Sequence, residues 1–131
     1  MNLHHVGIFI ESQKKGLDFF NKIIKINKKS KIIVDKKLGV KVRFLYDNKN
    51  NCYELVSPYS IKNPVKKVLK ERKNIINHFA YKTKKFQETI LYLRKINCAP
   101  LTRPQPSVAF NKKKIIFFLT PLNFIIELIE D

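Results

Sequence analysis

One spacing governs what this chain can fold into. His5 and Glu54 lie 49 residues apart, and His78 and Glu127 are again 49 residues apart. An offset of 73 residues lays the second pair on the first. The same offset brings Phe19-Phe20 onto Tyr92-Leu93, Lys22-Ile23 onto Lys95-Ile96, Phe44 onto Phe117 and Glu54-Leu55 onto Glu127-Leu128, with no gap between these positions. Self-similarity of this kind marks a chain built from two copies of one supersecondary unit. A total of 131 residues is the usual size of one domain, so the copies are modules of an integrated whole.

The local patterns say what the module is. Residues 3–10 read as a strand, and residues 12 to about 26 as a helix capped by Ser12, with Leu17, Phe20, Ile23 and Ile24 at three- and four-residue spacing facing the core. Strands follow over 31–34, 40–46 and 52–56. Pro58 ends the half, and Asn63-Pro64 predicts a helix start with proline at its first position. The pattern then restarts: a strand over 75–81, a helix over 84–96 with Ile90, Leu93 and Ile96 inward, a proline-rich loop over 99–107, and strands over 108–110, 115–119 and 124–129. The fold class is α+β: two tandem βαβββ modules, residues 1–57 and 75–131, joined by a helical linker over 58–74.

Each module places a histidine on its first strand and a glutamate on its last. Side chains alternate across a strand, so His5 shares a face with Leu3 and Gly7, Glu54 with Cys52 and Val56, His78 with Ala80, and Glu127 with Ile125 and Ile129. A carboxylate among apolar strand residues is costly unless it is paired or holds a metal. A lone histidine or glutamate on a strand is ordinarily structural, and His4 is read that way; the repeated 49-residue pairing separates the other four from it. His5, Glu54, His78 and Glu127 supply two imidazoles and two carboxylates, a set suited to one divalent ion such as Zn, Ni, Co, Mn, Fe or Mg.

Composition narrows the partners. The net charge of +17 would suit a nucleic-acid binder, yet Arg43, Arg72, Arg94 and Arg103 are the only arginines and the lysines are scattered. The charge therefore reads as a solvated surface with some attraction for an anionic small ligand, and a nucleic-acid partner is disfavoured. No apolar run is long enough to cross a membrane. Cys52 and Cys98 make no disulfide framework and no secretory signal is visible, so a cytoplasmic location is expected.

Several stretches carry a resemblance: His-His-Val-Gly-Ile at 4–8, Leu17-Asp18-Phe19-Phe20, Tyr53-Glu54-Leu55-Val56-Ser57-Pro58, Ile76-Asn77-His78-Phe79-Ala80 and Ile125-Ile126-Glu127-Leu128-Ile129-Glu130. Together they resemble the vicinal oxygen chelate superfamily of glyoxalase I, methylmalonyl-CoA epimerases, extradiol dioxygenases and bleomycin-resistance proteins. The resemblance implies a cupped mixed sheet with helices on its outer face, a homodimer, and one metal at His5, Glu54, His78 and Glu127. The run from Glu54 through Asn63-Pro64-Val65 to His78-Phe79-Ala80, with Phe117-Phe118-Leu119-Thr120-Pro121, leans toward the epimerases. Two positions depart from that branch: Ile76-Asn77 replaces its glycine, and no acidic residue stands near Val42-Arg43. The expected activity is a metal-dependent epimerase, isomerase or lyase that removes a proton beside the carbonyl of a small carbonyl or acyl-thioester substrate, such as a coenzyme A thioester. Glu127 and Glu54 are the expected acid–base pair. A glyoxalase I-like lactoylglutathione lyase and a ligand-sequestering protein of the bleomycin-resistance type are the alternatives.

Overall fold

The computed structural model describes residues 1–131 and contains ten strands and three α-helices in a mixed α+β arrangement. It divides into two compact units, one of His5–Asn77 and one of Met1–His4 with His78–Asp131. No helix is long and apolar enough to cross a membrane.

In the first unit β1 (Asn2–Phe9) runs parallel to β5 (Cys52–Pro58), with Val6 opposite Tyr53 and Phe9 opposite Val56. β5 is antiparallel to β4 (Val40–Asp47), which also pairs antiparallel with β2 (Ile26–Lys29) and β3 (Ile33–Asp35). Helix α1 (Gln13–Ile23) packs on β4 and β5. Its start follows the sequence pattern: Ser12 Oγ accepts from the Lys15 amide at 3.2 Å. Its end comes earlier than predicted. Ile24 is extended, and Ile26 belongs to β2, in keeping with the preference of branched side chains for strands. The buried stripe of α1 runs through Gln13 and Gly16 to the half-buried Leu17 and Phe20, whose ring lies 5.6 Å from that of Tyr53. Ile23, expected in this stripe, is 56% exposed beside Phe19, one turn away on the same outer flank.

The predicted strand over 31–34 is found as β3, and β2 is an additional short strand that the sequence pattern did not indicate. Gly39, in the left-handed region at φ 72°, makes the turn into β4. Its carbonyl accepts from the Tyr59 and Ser60 amides, which ties this turn to the segment after β5. Helix α2 (Val65–Glu71) opens where Asn63-Pro64 indicated: Asn63 Oδ1 accepts from the Val65 and Lys66 amides at 2.9 and 3.1 Å. Val65 is fully buried and α2 packs on β5.

The second unit repeats the plan. β6 (Ile76–Thr83) is parallel to β10 (Ile125–Glu130), and β10 is antiparallel to β9 (Lys114–Leu119). Two-residue strands β7 (Ala99–Pro100) and β8 (Gln105–Pro106) pair antiparallel with β9 along the edge away from β10, within a stretch read from sequence as mostly loop. Helix α3 (Phe86–Lys95) buries Phe86, Ile90 and Leu93 against Ile116, Phe118 and Leu128. Ile96 is 43% exposed rather than inward, because it ends the helix and the chain turns back through Asn97 at positive φ. The strand expected over Val108–Phe110 is instead a turn of 3-10 helix. Ser107 Oγ accepts from the Ala109 amide, and Asn111 and Lys112 take left-handed φ. Local capping here overrides the strand preference of Val108 and Phe110.

Candidate metal centre

The pleat of the first unit brings one predicted pair together. Glu54 on β5 stands in register between Gly7 of β1 and Phe44 of β4. His5, two residues before Gly7, is on the same face of β1, and its Nε2 lies 3.0 Å from Glu54 Oε2. The Phe44 ring meets the His5 ring edge-on at 5.4 Å. Both polar residues are buried, His5 to 1% and Glu54 to 6% exposure.

The second unit reproduces this quartet at the 73-residue offset. Glu127 on β10 stands between Ala80 of β6 and Phe117 of β9. His78, two residues before Ala80, places Nε2 3.3 Å from Glu127 Oε2, and the Phe117 ring meets it at 5.6 Å and 78°. His78 and Glu127 are equally buried. The residue opposite each glutamate on the parallel neighbour is small, glycine in one unit and alanine in the other. Each phenylalanine ring packs edge-on against its imidazole. Sequence reading matched Phe44 with Phe117 but gave them no role; their shared offset with the histidine–glutamate pairs is the signal that could have found it.

The donor chemistry fits a divalent transition metal. Each of the four residues offers one ligand atom, a ring nitrogen or a carboxylate oxygen. Donors held about 2.1 Å from one ion lie roughly 3.0 Å apart at an octahedral angle and roughly 3.4 Å apart at a tetrahedral one. The spacings of 3.0 and 3.3 Å within the two pairs fall in this range. His4, on the other face of β1, meets the Phe110 ring at 5.6 Å and is not a member of either pair.

Two further polar groups lie near β5. The Gln13 side-chain amide reaches from α1 to the carbonyls of Lys41 and Leu55 and to Ser57 Oγ, at 2.9–3.1 Å, joining β4 to β5 directly behind Glu54. On the Glu54 face, Tyr46 of β4 is in register with Cys52 and bonded to it through their side chains. Burial and this thiol push the phenol up to about 12. Cys52 and Cys98 are both buried, and neither forms a disulfide.

The comparisons with known proteins bear on this repeated geometry. A family profile described as the glyoxalase/bleomycin resistance protein/dioxygenase superfamily matches residues 4–117. The chain belongs to this superfamily. Among solved structures, a hypothetical protein from Bacillus halodurans C-125 is 25% identical with a TM-score of 0.83, the alignment covering 99% of this chain and 94% of that one. A methylmalonyl-CoA epimerase from Mycobacterium tuberculosis is 18% identical, with a TM-score of 0.81 and coverage of 98% and 87%. A Streptomyces coelicolor methylmalonyl-CoA epimerase in complex with 2-nitronate-propionyl-CoA is 17% identical, with a TM-score of 0.75 and coverage of 100% and 97%. No curated protein sequence matches the chain significantly. At these identities the two epimerases share the superfamily fold with this chain.

Proposed function

We propose that His5, Glu54, His78 and Glu127 hold one divalent metal ion, and that the protein catalyses proton transfer at the carbon beside the carbonyl of a small carbonyl or acyl-thioester substrate. The observation that carries this reading is the buried histidine–glutamate pair, built twice with the same small neighbour, the same edge-on phenylalanine and a spacing suited to adjacent metal ligands. A bound ion would supply Lewis acidity toward the substrate carbonyl. The two glutamates supply the proton chemistry. A carboxylate has two oxygens, so one can serve as a ligand while the other accepts a proton. Glu127, ionised, takes the proton from one face of the carbon, and Glu54, starting in its protonated form, delivers its own proton to the other face, which gives epimerisation or isomerisation and leaves the two carboxyl groups with their protonation states exchanged. The phenylalanines exclude water from beside the imidazoles and so strengthen electrostatic interactions with the reacting group.

The epimerase neighbours support an acyl-thioester as the first substrate to try, and exposed lysines suit the phosphates of coenzyme A. The test is metal analysis of the purified protein, followed by deuterium incorporation from solvent into methylmalonyl-CoA, the glutathione hemithioacetal of methylglyoxal and simple 2-oxo acids. One ion per chain and exchange in at least one compound is the expected result. An ion without exchange in any of them would reassign the protein to ligand sequestration. Absence of any bound divalent metal after reconstitution would remove the metal reading.

A further inference from the structure

The Glu54 face of the first unit continues beyond the glutamate into a row of three side chains that the proton chemistry does not use. Lys28 of β2, Tyr46 of β4 and Cys52 of β5 are successive cross-strand partners. The Lys28 ammonium lies over the Tyr46 ring at 5.7 Å from its centre, within cation–π range. The Tyr46 hydroxyl is bonded to the Cys52 side chain. Cys52 is two residues from Glu54 on the same face, which sets the row about 7 Å along the strand from the glutamate.

A phenol bonded to a thiol holds a weak partner, since sulfur is a poor acceptor and a poor donor. A carboxylate oxygen is a much better acceptor for the phenol O–H. The hydroxyl stays protonated and able to donate across the physiological range, and Lys28 adds a positive charge at the solvent side of the same ring. A neutral donor backed by a cation, set one substrate-length from an acid–base carboxylate, is suited to an anionic end group.

We infer that Tyr46 and Lys28 form a carboxylate-recognition point that selects carbonyl substrates carrying a second, distal carboxylate. The inference rests on the reading of Glu54 as part of the reaction centre. The row lies two residues along β5 from Glu54, so only a short chain separates the carbonyl at the reaction centre from the carboxylate at Tyr46. Tyr46 and Lys28 act here as specificity residues and not in proton transfer.

The probes are 2-oxoglutarate and 2-oxopentanoate, which share a five-carbon 2-oxo acid chain and differ in the distal carboxylate. Binding is measured by titration followed by NMR, on metal-free and on zinc-reconstituted protein, for the wild type, Tyr46→Phe and Lys28→Ala. Tyr46→Phe keeps the ring and its packing, and Lys28 is exposed, so at least one variant keeps the fold. The expected result is a wild-type preference for 2-oxoglutarate. Tyr46→Phe should reduce that preference about tenfold and Lys28→Ala should reduce it by a smaller factor that shrinks with added salt, with 2-oxopentanoate unaffected. Equal binding of the two probes by the wild type overturns the inference, as does an undiminished preference in both variants. A preference that persists in protein unable to take up metal would leave this inference standing while the metal reading failed. Metal uptake without any preference would do the opposite.

Discussion

Glu54 and Glu127 sit in matching surroundings, each between a small residue and a phenylalanine and each against an imidazole. That equivalence makes their glutamine variants directly comparable. Glu127→Gln should lower solvent-proton exchange by about 10²–10⁴, because the amide keeps the size and one ligand oxygen but accepts no proton. Glu54→Gln should show a loss of the same order if the two carboxylates work on opposite faces of the substrate carbon. Deuterium incorporation with the metal content checked in parallel measures both, and full exchange in metal-loaded Glu127→Gln would remove it as the base. Gln13 makes a contrasting case. Its amide donates to two backbone carbonyls and a serine hydroxyl of β4 and β5, so Gln13→Leu should cost about 1–3 kcal/mol of stability by leaving buried acceptors without a donor. Chemical denaturation reads that loss directly, and an unchanged midpoint would show that water replaces the amide. Nothing in the sequence marked Gln13, because a glutamine after a helix cap looks like any surface residue until β4 and β5 are folded beneath it.

At the scale of elements, patterns that depend on near neighbours were legible and patterns that depend on distant partners were not. Ser12 and Asn63 announced their helices because a cap is a contact within three residues. The pairings of His5 with Glu54 and His78 with Glu127 were legible for a different reason: the repeat turned a long-range contact into a spacing that could be compared with itself. The end of α3 was legible to within a residue, whereas the end of α1 and the exposure of Ile23 and Ile96 were not, because the apolar spacing continues through both residues although neither is buried. The 3-10 turn at Val108–Phe110 was hidden because Ser107 organises it through side-chain and backbone bonds that outweigh three apolar residues. The turn between β3 and β4 carries a prediction of this scale. Gly39 has left-handed φ, and an added Cβ would collide with the Lys62 carbonyl and the Ser60 hydroxyl. Gly39→Ala should therefore destabilise by more than the roughly 1 kcal/mol usual for left-handed alanine, since backbone must move as well. A thermal midpoint within a degree of the wild type would mean that the 59–62 segment yields without cost.

For the molecule as a whole, the proposed ion makes a demand that neither unit makes alone. If the pairs acted independently, each would offer two ligands, and metal would bind weakly or in two equivalents. If all four residues serve one ion, the protein should take up one equivalent, and His5→Ala and His78→Ala should each abolish it. The stability readout follows from mass action, because an ion that binds only the folded chain stabilises it by about 2.7 kcal/mol at a free concentration one hundred times its dissociation constant. For a chain of this size that corresponds to a rise in melting temperature of roughly 10 °C. The wild type should show this rise with zinc, nickel or cobalt and lose it with chelator, while both histidine variants should melt alike with and without metal. The two variants matter more than the wild type here. Each leaves one histidine–glutamate pair untouched, so a variant that kept the full metal-dependent rise would show that the surviving pair binds by itself and that the two halves of the repeat do not share an ion.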